Sequence, residues 1–175
     1  MDRLMVGAVA YGGHVVPIWE GIREHFRGTD VEMDFVLFSN YEAQVEALLG
    51  ERIDIAWNTN LAYVRAQLVT DNACSVLAMR DTDVGFSTVL VGRTGELSGV
   101  HELRGKRLAL GSADSAQAAI LPVYFLQRDE GLVPDDDYSV VRFNSDVGKH
   151  GDTGRSEIDA MQAVLDGSAD LASMG

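Results

Sequence analysis

Segments predicted to form strands alternate with segments predicted to form helices along almost the whole chain. Short apolar runs predict the strands, at residues 4–10, 31–38, 53–57, 75–79, 87–92, 107–111, 138–143 and 169–174. Apolar residues spaced three and four apart predict the helices, around residues 15–26, 41–49, 61–68, 116–127 and 158–165. This alternation is typical of parallel β-α-β units whose helices cover a sheet, and it predicts the α/β class.

The alternation falls into two runs, residues 1–85 and 86–175, which we interpret as two lobes with a hinge near residues 85–88. A length of 175 residues fits two small lobes. Each run contains a helix end, a tight turn and a strand with an early aspartate, Asp54 in the first and Asp170 in the second. Duplication and convergent turn chemistry explain this echo equally well. Both aspartates are predicted to anchor turns rather than to act as acids.

Composition excludes several classes of function. The chain has 27 acidic and 14 basic residues and a net charge of −13, which disfavours binding to nucleic acid or to an anionic membrane surface. A single cysteine and four histidines without ligand spacing predict no metal site. No nucleotide-binding glycine motif is present, so no cofactor is expected. No apolar stretch reaches the length of about 20 residues that a membrane-spanning helix needs.

Four polar loops each follow a predicted strand and open a predicted helix, at residues 11–14, 39–41, 58–60 and 112–115. Capping of the helices explains any one of them. Because the carboxyl ends of parallel strands meet at one edge of a sheet, several such loops also predict a binding site there. Helix N-termini at that edge offer amide N–H groups and positive dipole ends, which suit a small oxyanion.

The sequence also resembles a known family in several ordered segments. Residues 41–57 (YEAQVEALLGERIDIAW) resemble the first lobe of phosphonate-, phosphite- and phosphate-type periplasmic substrate-binding proteins of ABC importers. Residues 103–115 (LRGKRLALGSADS) resemble the start of their second lobe, and the resemblance extends in order to residue 172. It implies a two-lobed Venus-flytrap fold that captures a small anionic ligand and delivers it to an ABC permease.

The resemblance also implies which residues bind the ligand. The family's Ser/Thr-rich turn at a helix start, which holds phosphonate oxygens, matches Ser112, Ser115 and Ala116. A family histidine of the second lobe matches His150, and a first-lobe tyrosine matches Tyr11. We therefore expect these five residues to contact the ligand.

Three further first-lobe residues are expected to contact the ligand from the polar loops, namely His14, Asn58 and Thr59. The chain departs from the family where Asn58 and Thr59 replace a frequent Gly-Pro pair. It also departs at Asp114, which would repel a phosphoryl group if it pointed inward. Trp57 is expected either to pack in the core or to contact the ligand.

Two alternatives stay open at this point. An enzyme or a small-molecule sensor on the same scaffold is the rival of the binding protein, with His14 and Asp114 as the residues to suspect, although an enzyme is disfavoured. The chain is predicted to be periplasmic if an export signal has been removed, and cytoplasmic if Met1 is the native start. Family members continue beyond the strand that matches residues 169–174, so we expect a shortened chain.

Overall fold

The computed structural model describes residues 3–95 and 98–175. The chain divides into two compact units, unit 1 (Met1–Met79) and unit 2 (Arg80–Gly175). This division lies six residues before the predicted boundary of the lobes, and the hinge near residues 85–88 stays a prediction. The interpretation of Met1 lies outside the described residues, as do two residues of the loop that separates the predicted strands 87–92 and 107–111.

Unit 1 contains the three predicted helices and three of the four predicted strands. Its elements are β1 (Leu4–Val9), α1 (Val15–Phe26), β2 (Met33–Phe38), α2 (Tyr41–Leu49), β3 (Ile55–Ala56) and α3 (Asn60–Val69). The strands form a parallel sheet in the order β2-β1-β3. Val6, Ala8 and Trp19 contribute to a core between β1 and α1. The predicted β-α-β arrangement of this unit is confirmed.

The predicted strand at residues 75–79 is wrong, because these residues form no strand. Its apolar side chains, including Val76, Leu77 and Met79, are exposed. A short apolar run meets the compositional requirement for a strand, but a strand also needs a neighbouring edge with which to pair. Within the described residues, the unit 1 sheet consists of β2, β1 and β3 only, and residues 75–79 pair with none of these strands.

Unit 2 contains a four-stranded sheet in the order β4-β7-β5-β6. Its elements are β4 (Val89–Gly92), β5 (Arg107–Leu110), a π-helical turn (Ala116–Ile120), α4 (Leu121–Glu130), β6 (Ser139–Arg142), α5 (Arg155–Asp166) and β7 (Leu171–Met174). The pairs β5–β6 and β5–β7 are parallel as predicted, whereas β4 pairs antiparallel with β7. A 3-10 turn (Val100–Leu103) follows β4, and the described residues between β4 and β5 form no crossover helix. The strand–helix alternation therefore does not fix the direction of β4.

The two faces of the unit 2 sheet pack differently. On one face, Leu108 and Leu110 of β5 pack against leucines that include Leu126 of α4. On the other face, alanines of β5 and β7 pack against Ala160, Ala163 and Val164 of α5. Small side chains on both sides allow α5 to lie close to the sheet. Among the described helices of both units, none combines the length and the apolar character needed to span a bilayer.

The aspartates of the two similar segments make the same pair of hydrogen bonds in each unit. The Met5 N–H donates to Oδ2 of Asp54 (2.7 Å), and the Asp54 N–H donates to the Met5 carbonyl (2.8 Å). In unit 2, the Arg107 N–H donates to Oδ2 of Asp170 (2.8 Å), and the Asp170 N–H donates to the Arg107 carbonyl (2.9 Å). Each aspartate thus fixes one strand against its neighbour in the sheet. The predicted structural role is confirmed, but the contacts join two strands rather than anchor a turn.

Asp170→Asn is expected to destabilise unit 2 in a pH-dependent way. Hydrogen bonds from the Arg107 guanidinium hold the pKa of Asp170 below its ordinary value, although burial opposes this. The stabilisation is therefore complete above the unfolded-state pKa of about 3.9 and is lost as pH falls through the lower folded-state pKa. We expect the substitution to lower the free energy of unfolding at pH 7 by about 1–2 kcal/mol, measured by urea unfolding. The loss stays in this range because the Arg107 guanidinium is partly exposed to solvent.

The matched control is Asp54→Asn, which changes the same pair of hydrogen bonds in unit 1, where no arginine among the described residues pairs with the aspartate. The wild-type and Asp170→Asn proteins should converge in stability at acid pH, below both pKa values. A difference that stays constant down to pH 2 would contradict the assignment of the stabilisation to the ionised carboxylate.

Candidate functional site

The first part of the candidate site is the turn that follows β5 in unit 2. The Ser115 N–H donates to the Ser112 carbonyl (2.8 Å), which closes the turn. The Ser115 hydroxyl then accepts the Ala118 N–H (3.2 Å) and caps the following helix. Among the described residues, no acceptor takes the hydroxyl proton of Ser115. Ser115 is thus both a helix cap and a buried donor, and Ala116 is the first residue of the helix.

The helix begins with one wide turn. The Ile120 N–H donates to the Ser115 carbonyl (3.0 Å), which is a five-residue spacing instead of the four of an α-helix. The Ala118 carbonyl accepts the Gly111 N–H (3.1 Å). A Cβ at Gly111 would lie 2.7 Å from the Ala118 Cβ, so this contact requires glycine. The π-helical turn is therefore fastened to the end of β5.

A second loop, residues 144–151, packs on this turn from the end of β6. The Ala113 N–H donates to Oδ1 of Asn144 (3.0 Å). A Cβ at Gly151 would lie 2.6 Å from the Ser115 Oγ, and Gly151 has a φ of +89°. Only glycine combines this backbone conformation with such a close approach. The two loops thus form one rigid edge beyond the sheet.

Asp146 holds the two loops together, and it was missed by the sequence interpretation. Its carboxylate accepts hydrogen bonds from the hydroxyls of Ser112 and Thr153. Burial raises the pKa of Asp146, but these hydrogen bonds outweigh burial and keep the pKa below its ordinary value. The signal was a fifth polar loop, Asn144 to Asp146, after the predicted strand 138–143. Because the Ser112 hydroxyl donates to Asp146, this serine positions the turn, and its contact with a ligand stays a prediction.

Asp114 and His150 face each other across these loops. Asp114 is only 9% exposed, and its Oδ2 accepts the Gly148 N–H. Its Oδ1 is buried and has no hydrogen-bond partner among the described residues. His150 is 4% exposed rather than lying free in its loop, and one of its ring nitrogens lies within 4.8 Å of an Asp114 carboxylate oxygen. Asp114 therefore ties the loops together with one oxygen and leaves the other unsatisfied.

Unit 1 places the remaining predicted residues at the carboxyl ends of its strands. After β1, Tyr11 and His14 are exposed, and their rings meet edge to face with 5.5 Å between centroids. His14 precedes α1 but makes no side-chain cap. After β3, Asn58 is followed by Thr59, which caps α3 by accepting the Ala62 N–H (3.2 Å). The capping interpretation of the loop at residues 58–60 is confirmed, and ligand contacts of these residues stay a prediction.

A buried glutamine fixes the orientation of Asn58. Gln44 of α2 is fully buried, and its Nε2 donates to the Trp57 carbonyl (3.1 Å) and to Oδ1 of Asn58 (2.6 Å). A carbonyl only accepts, so the Trp57 carbonyl requires the NH₂ group of Gln44 on this side. The second proton of the Gln44 NH₂ group needs another acceptor, and this acceptor is Oδ1 of Asn58. The NH₂ group of Asn58 therefore points away from Gln44. No acceptor for that NH₂ is found among the described residues.

Trp57 is not a core residue, because its side chain is 49% exposed at the end of β3. Its ring meets the Trp19 ring at a centroid distance of 6.1 Å and an angle of 78°. Of the two sequence-based alternatives, core packing is wrong. An exposed aromatic face beside polar donors is typical of a ligand-binding edge.

The fold and the polar loops that follow the strands define the class of the protein as a two-unit α/β protein with a candidate binding edge in each unit. The family model described as "ABC transporter, phosphonate, periplasmic substrate-binding protein" matches residues 15–175. The chain belongs to this family. The resemblance and the α/β periplasmic-binding-protein fold class predicted from the sequence are thereby confirmed.

One relative matches this chain both in sequence and in structure. A probable ABC transporter phosphite binding protein, PhnD1 of Prochlorococcus marinus (strain MIT 9301), is 30% identical over 113 residues, which cover 61% of this chain and 38% of that protein. The structure of PhnD1 in complex with methylphosphonate superposes with a TM-score of 0.65 at 25% identity, covering 99% of this chain and 63% of PhnD1. The chain thus spans less than two thirds of this relative's length.

Another solved structure shares the fold at lower identity. XAC2383 from Xanthomonas citri, bound to ATP, gives a TM-score of 0.66 at 19% identity and is covered over 64% of its length. At this identity the likeness shows the fold alone. The family match supports the binding-protein interpretation over the enzyme or sensor on the same scaffold.

Proposed function

We propose that this chain binds a small tetrahedral oxyanion, a phosphonate, phosphite or phosphate ester, as the substrate-binding component of an ABC importer. Its partner is then an ABC permease, and its place of action is the periplasm. Membership of the phosphonate-binding family supports this function, as does the PhnD1 relative that was solved with methylphosphonate.

The observation that carries the proposal is the Ser115 turn. A buried hydroxyl with an uncommitted proton lies at the start of a helix that continues from residue 116 to residue 130. The first amides of a helix have no intrahelical acceptor, and the dipole favours a negative charge there. Each charge-assisted hydrogen bond contributes about 1.5–3 kcal/mol.

The net charge of −13 does not prevent this binding. Exposed charges more than a Debye length of about 8 Å away are largely screened at physiological ionic strength. Local donors therefore decide whether an oxyanion binds. Ser115 and Ala116 in unit 2, and Tyr11, His14 and Asn58 in unit 1, are the residues that we expect to supply or border these donors. That a single ligand contacts both units stays a prediction.

A panel of anions in thermal-shift and calorimetric titrations tests the function. Methylphosphonate, phosphite and a phosphate monoester are expected to raise the melting temperature, since a ligand at 100 times its Kd stabilises the native state by about 2.7 kcal/mol. Ser115→Ala should weaken binding at least about fivefold through the lost donor. Ser139→Ala, on an exposed position of β6, is the control and should bind normally. The proposal is wrong if no phosphorus oxyanion stabilises the wild-type protein at millimolar concentration.

A further inference from the structure

Oδ1 of Asp114 is a buried oxygen to which the proposed function assigns no contact. Oδ1 is buried without a hydrogen-bond partner among the described residues, while Oδ2 is committed to the Gly148 N–H. A buried acceptor without a donor destabilises the folded state, and the cost is greater when the group is charged. The chain tolerates this cost at the turn that also carries Ser115, which indicates that a donor reaches Oδ1 in another state of the protein.

We propose that Asp114 selects an oxyanion that still carries a proton, by accepting a hydrogen bond from its P–OH group at Oδ1. This inference rests on the proposed function and narrows it. An ionised carboxylate is an acceptor only, so it repels every ligand oxygen that lacks a hydrogen. A phosphonate or phosphite monoanion has one such hydrogen, whereas a sulfonate has none. Asp114, which repels a fully ionised phosphoryl group, therefore recognises the protonated form of that group.

The surroundings of Asp114 in unit 2 support this role. Because the Gly148 N–H can only donate, it fixes Oδ2 and keeps Oδ1 turned the other way. The Ser115 hydroxyl of the same turn supplies a donor for an ionised oxygen of the ligand. In unit 2, a ring nitrogen of His150 lies within 4.8 Å of an Asp114 carboxylate oxygen, and the Asp146 carboxylate accepts the hydroxyls of Ser112 and Thr153. One acceptor and one donor together match an oxyanion that has both kinds of oxygen.

The first test compares two ligands of matched shape on the wild-type protein. Methylphosphonate and methanesulfonate are both tetrahedral and carry one methyl group, but only methylphosphonate can hold a proton. In calorimetric titrations we expect methylphosphonate to bind at least about 100-fold more tightly, since a polar site left unpaired discriminates strongly. ³¹P NMR should show bound methylphosphonate as the monoanion at a pH where the free ligand is already the dianion.

The second test changes the acceptor into a donor. In Asp114→Asn, the amide oxygen must face the Gly148 N–H, so the NH₂ group takes the place of Oδ1. This variant should gain affinity for methanesulfonate at least about tenfold and lose its preference for the monoanion. Asp136→Asn, an exposed position of unit 2, is the control with the same change of charge and should keep the wild-type selectivity.

The outcomes separate this inference from the proposed function. Equal binding of the two ligands by the wild-type protein, or a bound dianion in the ³¹P spectrum, overturns the role of Asp114 and leaves the binding function in place. Unchanged selectivity in a folded Asp114→Asn protein also overturns it, and would assign Oδ1 to a partner inside the protein such as His150. Failure of every phosphorus oxyanion to bind overturns both proposals.

Discussion

Asn58→Asp should reduce the affinity for methylphosphonate about 100-fold, or about 3 kcal/mol, while leaving the melting temperature of the free protein nearly unchanged. Gln44 donates to Oδ1 of residue 58 in either case, so the second side-chain atom points the same way. In the wild type this atom is an NH₂ donor, and in the variant it is a carboxylate oxygen that repels an oxyanion. Isothermal titration calorimetry measures the loss directly.

The matched control for this variant is Asn60→Asp, which adds the same charge two residues later, at the first position of α3. Its affinity should stay within about threefold of the wild type, because a partly solvated charge at a helix start interacts weakly with a ligand. Equal losses in the two variants would mean that net charge, and not the orientation set by Gln44, governs binding. Slow exchange of the Gln44 side-chain amide protons in NMR would test that orientation without any ligand.

Gly151→Ala is expected to destabilise unit 2 by about 3 kcal/mol and to abolish oxyanion binding. The new Cβ would lie 2.6 Å from the Ser115 Oγ and 3.2 Å from the Ser115 Cβ, so one of the two loops must move. Movement of Ser115 breaks the cap on Ala118 and displaces the buried donor. Urea unfolding measured by circular dichroism, together with hydrogen exchange of residues 112–120, reports both effects.

Gly154→Ala separates backbone strain from the steric contact. Gly154 also has a positive φ, of +66°, but a Cβ there meets no atom within 4 Å. The free energy of unfolding should therefore fall only by the cost of the left-handed conformation, about 1–2 kcal/mol, and the variant should still bind an oxyanion. If the two variants behave alike, the close approach of Gly151 to Ser115 contributes nothing to the site.

Periodicity predicted the elements that are long enough to show it. The helices α1 and α2 have the predicted bounds, and the central strands β1 and β5 differ by one residue at their ends. The errors fall on short segments, such as β3 with two residues and the unpaired segment 75–79. Apolar content shows that a segment can be buried, but pairing depends on an edge contributed by a distant part of the chain.

The candidate site could be predicted only in part, for a related reason. Strand-end position and residue type led to the turn at residues 112–115 and to the loop at residues 58–60. The partners Asp146 and Gln44 were missed, because their roles arise from pairing across 34 and 14 positions, respectively. The sequence pointed to Asp114, but it did not predict whether this residue favours or disfavours an oxyanion. That question depends on the Gly148 N–H, which occupies one of the two carboxylate oxygens.

The wide turn at residues 116–120 has a consequence for how such proteins diversify. A π-helical turn contains one residue more than an α-helical turn needs, so a single deletion there would restore ordinary spacing in the helix. The same deletion would withdraw the Ala118 carbonyl from the Gly111 amide and rotate the leading amides of the helix. Gain or loss of one residue at this turn would therefore move the leading amides to which the proposed function assigns the oxyanion.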